Sequence, residues 1–448
     1  MDKVRETALK ILYKIDKENA YSNIVLDDVI NKNRSKLNER DIGLISEIIY
    51  GTTTWKLTID EIIKKYSKIK LKKYSKWVLN IIRMGIYQIV FLDKIPKSAA
   101  VNESVNLCKK YGAKSSGLVN AILRKVERDD YLEFEKIENS AEKISKMYSM
   151  PEWIVKRLIK ENGILKAEDI CKNSNIKPKL SIRVNKIKNT SKELIKRLKE
   201  KNIIVNNGDL EDFLIVEKLK NLNDLEEFKQ GKFTVQDESA GLTSVILNPQ
   251  KGDYVLDACS APGGKTTYIA ELMNNNGRIL AWDLHEHRTK LIQDNAKRLG
   301  IDIITTEVKD ATILDKNLIE KFDKILLDVP CMGLGVIKRK PDIKWHRKEE
   351  DIKEISNLQY NILDVCSKYL KKGGNLVYST CSILKEENEE IIEKFLENNT
   401  NFEINEYKID NKYNKFIEKN GYIKINTTDK NDGFFICKIH KKKANITT

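Results

Sequence analysis

Five short apolar runs dominate the C-terminal half of the chain: "DYVLDAC" (residues 253–259), "GRILAWD" (277–283), "IDIITTEVKD" (301–310), "KILLDVP" (324–330) and "GGNLVYST" (373–380). Helical stretches separate them. Strands alternating with helices predict a mostly parallel, doubly wound sheet covered on both faces, an α/β Rossmann-like fold. Such a sheet takes its ligand at the carboxyl ends of the strands, where the loops gather. The first place to look for chemistry is therefore the residue that ends each run.

The rest of the chain reads as separate modules, as 448 residues would suggest. Residues 1–130 carry helical periodicity, with Ala8, Ile11, Leu12 and Ile15 at three- and four-residue steps. The apolar stretch 77–92 contains Asn80, Arg83, Gly85 and Gln88 and is shorter than a bilayer span, so it predicts a buried helix. Residues 131–150 are charged and weakly patterned, as expected of a linker. "PEWIVKRLIKENG" predicts a short helix ending at Gly163, and "KLSIRVN", "SKELIKRLKEKN" and "IIVNNG" form a β-α-β pattern. These make a small α/β module over residues 151–230. The doubly wound domain is expected over 231–440, followed by a disordered basic tail at 441–448.

The formal charge is +15, which fits either a general lysine bias or a polyanionic partner. The N-terminus lacks the apolar core of a signal peptide, so a cytoplasmic protein with no membrane association is expected. Seven cysteines without a CxxC pair, and four histidines, predict free thiols and no metal site.

The loop after the first run, "DACSAPGGKTT" (257–267), contains the Gly264-Lys265-Thr266 of a phosphate-binding loop. A Walker A loop needs glycine five positions before Gly264, and Cys259 stands there. Pro262 also removes an N–H from the supposed cradle. An ATPase is thereby disfavoured. The second run ends in Asp283, placed for the hydroxyls of a ribose. Asp310 follows the third run, near an expected adenine edge, and Asp328 ends the fourth. This acid series suits a cationic nucleoside such as S-adenosylmethionine.

Cys331 and Cys381 follow the fourth and fifth runs and would share one cleft. A thiolate adding to carbon 6 of a pyrimidine makes carbon 5 nucleophilic toward a methyl donor. Asp328 could hydrogen-bond the cytosine edge as charge builds up. Residue chemistry leaves open which thiol adds and which assists release.

"DACSAPGGKTT", "DVPCMGLG", "YSTCSILKEEN" and "KNDGFFICKI" resemble the RNA cytosine-5 methyltransferases of the Nop2/Sun/Fmu type. "LSIRVN" and "MPEWIVKRL" resemble that family's RNA-recognition-motif-like module, and "GKFTVQDESAGL" its segment before the cofactor loop. "YGTTTWKLTIDEII", "IPKSAAVNESVNLCKKYG" and "GLVNAILRK" resemble a NusB-type RNA-binding helical domain. This domain order is the layout of bacterial enzymes acting on cytosine in 16S rRNA. The resemblance implies that Cys381 is the nucleophile and that Cys331 assists product release. It implies S-adenosylmethionine contacts at Cys259, Ser260, Ala261, Pro262, Gly263, Gly264, Lys265, Asp283, Asp310 and Asp328. Val329 and Met332 stand where the family usually has Ala and Ser, beside Cys331. RNA contact is expected at Lys338, Arg339 and Lys340, after the Pro-Cys motif, and a monomer acting on free or partly assembled 16S rRNA is expected. The rival readings are the same chemistry on tRNA and a non-catalytic RNA-binding or antitermination factor.

Overall fold

The computed structural model describes residues 2–33, 36–217, 219, 222–405 and 412–443. The chain divides into two compact units: residues 1–176 with 337–349, and residues 177–336 with 350–448.

The first unit is helical. Its most buried helix, Lys76–Phe91, has twelve buried residues, among them the expected Asn80, Arg83, Gly85 and Gln88. Polar groups on such a helix need partners. Arg83 makes a bidentate pair with Asp60 (2.7 and 2.8 Å) and reaches Asp16 at 3.0 Å, which also accepts from Asn80 Nδ2. Gln88 accepts from Arg5 Nε and donates to the Met84 carbonyl. Close packing is set by Gly51 in helix Glu39–Thr54, where an added Cβ would lie 1.8 Å from Cζ of Tyr87.

Residues 131–150 are not an open linker. Asp130–Lys136 forms a 3₁₀ helix and Ser140–Met147 an α-helix capped by Asn139, burying Ile144 and Met147. Buried Asp130 accepts from Lys65 and Tyr66 at 2.7 Å each, anchoring this segment to helix Lys56–Tyr66. Helices Glu152–Asn162 and Ile164–Asn173 also belong to this unit, so the compact boundary falls after residue 176 rather than 150. Gly163, at φ 79°, separates the two helices, as expected.

An arm of residues 337–349, beginning six positions after Cys331, also packs in the first unit. Asp342 accepts from Ser22 Oγ at 2.5 Å, and Trp345 Nε1 donates to the Thr53 carbonyl at 2.8 Å. Lys344 is 1% exposed and donates to the Thr54 carbonyl and to Asn175 Oδ1. Burial pushes its ammonium down to about 7.

The second unit holds two sheets. The small one is antiparallel, with β1 (Leu180–Val184), β2 (Ile204–Asn207), β3 (Phe213–Glu217) and β4 (Phe233–Val235) in the order β2-β3-β1-β4. Helix Ser191–Glu200 joins β1 to β2. The fourth strand comes from "KFTV", past the expected end of the module at residue 230.

The large sheet contains β5 (Tyr254–Asp257), β6 (Arg278–Asp283), β7 (Ile304–Val308), β8 (Phe322–Asp328) and β9 (Leu370–Thr380), all parallel where they pair. β10 (Phe402–Ile404), β11 (Ile423–Ile425) and β12 (Phe434–Lys441) complete it in the order β10-β12-β9-β8-β5-β6-β7, with β11 beside β12. β12 runs antiparallel to β9. Lys441, expected in the tail, instead closes β12, where its ammonium is buried and donates to the Leu370 carbonyl at 2.8 Å. The rest of that tail, 444–448, lies outside the described residues.

Gly51→Ala should lower the stability of the helical unit by about 2 kcal/mol, because the Tyr87 ring must move to admit a methyl group. Urea unfolding of the full chain, followed by the helical signal, measures it; an unchanged first transition would contradict the packing.

Candidate active site

The strand ends converge as the five runs predict. After β5, residues 258–263 turn into helix Gly264–Leu272, with Gly263 at φ 94°. A Cβ there would be strained by that backbone and would sit 3.1 Å from Cα of Ile292, so glycine is required. The Ser260 N–H and hydroxyl both donate to the Trp282 carbonyl (2.9 and 2.7 Å). Asn295 and Arg288, on helix Glu286–Leu299, hold the carbonyls of Pro262 and Ala261. Cys259 is half-buried.

Asp257 is buried at the end of β5 and accepts from Thr266 Oγ1 at 2.7 Å. Burial, reinforced by the nearby Asp328 charge, pushes its carboxyl up to about 7. Lys265 reaches from the loop to Asp328 Oδ2 at 2.6 Å, while Ser379 of β9 donates to Asp328 Oδ1 at 3.0 Å. Burial alone would lower the Lys265 ammonium, but the charge and hydrogen bond of Asp328 outweigh it and raise it. The first turn of helix Gly264–Leu272 and the ends of β8 and β9 are thus tied through one carboxylate, a link invisible in the spacing of the motifs.

Asp283 ends β6, 5% exposed, accepting from the His285 N–H at 3.3 Å and lying 3.4 Å from Arg288. Asp310 is half-buried, with Oδ1 held by the N–H and hydroxyl of Thr312. Leu284, Val308 and Ile313, beside these acids in sequence, are 57%, 55% and 65% exposed. Sequence reading passed over them because a single exposed apolar residue is ordinary. Together the acids and apolar side chains fit a cationic nucleoside: carboxylates for a ribose diol and positive charge, and apolar surface for a base.

The two sequence-predicted thiols meet. Cys331 Sγ lies 3.2 Å from Cys381 Sγ, on the loops that follow β8 and β9. Both are half-buried. The hydrogen bond with Cys381 and then burial raise the Cys331 thiol well above its ordinary value. The Val329 N–H donates to the Ser379 carbonyl, and the Gly335 N–H to the Cys381 carbonyl at 2.9 Å. Gly433, in the late "NDGF" segment, donates to the Gly335 carbonyl at 2.8 Å. Val329 and Met332 are both buried, so these departures from the family pattern bear on packing behind the thiols.

Of the three basic residues expected on RNA, Lys338 is 8% exposed, Arg339 is half-buried and Lys340 is exposed. The burial of Lys338 within the arm removes it as a direct phosphate contact. Among the described residues no group of three or more His, Cys, Asp or Glu could hold a metal ion, and no helix is long and apolar enough to cross a membrane.

A parallel sheet with a glycine-bearing loop after its first strand, acids at the following strand ends and an antiparallel β12 defines a Rossmann-like methyltransferase. The family model for the 16S rRNA methyltransferase RsmB/F matches residues 244–440, that for the NusB family residues 2–128, and that for the RsmF/B-like ferredoxin-like domain residues 150–222. The chain is 38% identical over 444 residues to the probable ribosomal RNA small subunit methyltransferase B of Bacillus subtilis, covering 98% of this chain and 99% of that protein. It is 34% identical to ribosomal RNA small subunit methyltransferase B of Escherichia coli, covering 93% and 94%. The solved structure of PH0851 aligns with a TM-score of 0.81 at 28% identity, over 98% of this chain and 99% of that one. The chain belongs to the RsmB/F family of 16S rRNA methyltransferases.

The raised Asp257 carboxyl has a consequence for stability. The folded state keeps a proton that the unfolded chain releases near its ordinary value of 3.8, so Asp257 makes stability fall as pH rises from about 4 to about 7. Asp257→Asn, which keeps an acceptor for Thr266, should flatten that slope; thermal melts across the window measure it.

Proposed function

We propose that this chain methylates carbon 5 of a cytosine in 16S rRNA, through a covalent adduct between Cys381 and carbon 6, with S-adenosylmethionine as donor. The observation that carries this reading is the thiol pair, 3.2 Å apart beside Asp328 at the ends of two neighbouring strands. S-adenosylmethionine, when bound, supplies an electrophilic methyl group. Its seat would be the 259–265 loop with Asp283 and Asp310, and Leu284, Val308 and Ile313 flanking the adenine.

Cys381 adds to carbon 6, and Asp328, already oriented by Lys265 and Ser379, accepts a hydrogen bond from the cytosine edge. Cys331 holds its proton in the resting pair because Cys381 lies against it. Once the Cys381 sulfur is a neutral thioether, the largest of the restraints on that proton is gone, while burial and the neighbouring carboxylates remain. Cys331 passes its proton to solvent, and its thiolate takes the one on carbon 5; the carbon 6–sulfur bond then breaks and Cys381 leaves as a thiolate by β-elimination. The target base must be turned out of its stack to reach these groups. Lys340 is the proposed phosphate contact on the arm.

Cys381→Ala should abolish methyl transfer and covalent trapping on an RNA carrying 5-fluorocytosine. Cys331→Ala should instead accumulate a covalent adduct with the natural base, visible as a band resistant to denaturant. Exchange of the two phenotypes would overturn the assignment. Bisulfite sequencing of RNA from a deletion strain addresses the substrate: loss of a methyl mark in 16S rRNA is expected, and loss confined to tRNA would contradict it.

A further inference from the structure

Behind the thiols lies a carboxylate that the reaction scheme does not use. Glu387 is 0% exposed, on the 3₁₀ turn Lys385–Glu387 after the Cys381 loop. Its Oε1 accepts from the Met332 N–H at 2.8 Å and from Gln359 Nε2 at 2.9 Å. Its Oε2 accepts from the hydroxyl of Ser382. Met332 is the residue after Cys331, and Ser382 the residue after Cys381. One carboxylate therefore clamps the chain immediately beyond both sulfurs.

The clamp is itself held. Gln359, fully buried on helix Asp351–Ser367, also donates to the Pro330 carbonyl at 2.9 Å, immediately before Cys331. Tyr378 of β9 donates its hydroxyl to the Glu387 carbonyl at 2.6 Å. Thr380 Oγ1 donates to Asn388 Oδ1, and Asn388 Nδ2 to the Ser382 carbonyl. A carboxylate is a costly way to fill a buried site, and a neutral amide could accept the same N–H. What the amide lacks is charge.

We propose that Glu387 is a positioning residue for the thiol pair, setting the spacing of the two sulfurs through Met332 and Ser382. The assignment of chemical roles to the two thiols rests on the function proposed above; the clamp and its effect on Cys331 do not. The groups that bear on Cys331 are Cys381, Glu387 and Asp328, with Lys265 bonded to Asp328 and the phenol of Tyr378 behind it. Glu387 contributes a negative charge that opposes loss of the Cys331 proton. Its removal should make that thiol more acidic; a loosened loop would act in the same direction, so a second variant that loosens the clamp but keeps the charge must separate the two.

The test is the pH dependence of Cys331 alkylation by iodoacetamide in the full chain without RNA or methyl donor, read peptide by peptide by mass spectrometry. In Glu387→Gln the alkylation midpoint of Cys331 should move down by about one pH unit or more. A folded variant with an unmoved or raised midpoint overturns the proposal. Gln359→Leu serves as the second variant, since it removes a donor from the carboxylate but keeps the charge. Its Cys331 midpoint should stay or rise, and a fall like that of Glu387→Gln would mean that loop loosening alone is being measured. Because the readout needs no catalysis, its failure leaves the trapping result for Cys381 untouched, and the converse holds.

Discussion

The Asp328 carboxylate joins three strand ends of the catalytic domain. Lys265 arrives from the loop after β5 and Ser379 from the end of β9, each on a different oxygen. An ammonium taken out of water needs such a partner, and so does the carboxylate. The pair consequently fixes the cofactor loop relative to the strand ends that carry Cys331 and Cys381. Under the function proposed above, a methyl donor on that loop and a base at those thiols would be brought into register by the same ion pair. The aromatic face of Phe434 lies 5.2 Å from the Lys265 ammonium and brings β12 into the arrangement.

A second buried charge links the small sheet to this machinery. Arg183 of β1 is 0% exposed and pairs with both oxygens of Glu271, at 2.8 and 3.1 Å, on helix Gly264–Leu272. It also donates to the Gly264 carbonyl at 2.8 Å, at the first residue of that helix, and lies over the Tyr268 ring. A fully donating guanidinium in a dry interior is tolerated because every edge is occupied. The result is that the four-stranded sheet is attached where the cofactor loop becomes helix. The small sheet and the turn into that helix therefore share a rigid support.

Much of the catalytic domain was legible because its signal is local. Runs such as "KILLDVP" are apolar enough to have no other home than the sheet interior, and Asp257, Asp283 and Asp328 each end a strand. Cys331 and Cys381 could be paired before any geometry was known, since adjacent parallel strands bring their C-terminal loops together. Other features depend on residues far away in sequence. Lys344 sits in "KRKPDIKW", a basic run that reads as an RNA contact, yet its own partners are the carbonyl of Thr54 and the side chain of Asn175. In "LKEEN" nothing distinguishes Glu387 from Glu386, because the turn alone decides which carboxylate faces Met332. Residues 131–150 lacked a strong period, but Asp130 could anchor them once Lys65 and Tyr66 stood opposite. The order of domains was visible, and the family models over residues 2–128 and 150–222 begin and end near the limits read from the sequence. The first compact unit runs on to residue 176, because helices 152–173 pack with what precedes them.

The arm at residues 337–349 gives the chain an unusual inheritance. The polypeptide leaves the catalytic domain just after the Cys331 loop, builds part of the helical unit, and returns to begin helix Asp351–Ser367. A break at residue 176 would separate the ten α-helices described before it from the side chains of Asp342, Lys344 and Trp345 that pack with them. The catalytic half would in turn keep a stretch of buried apolar residues with nothing to cover it. The helical unit is therefore assembled from two stretches of chain that lie on either side of the Cys331 loop in sequence.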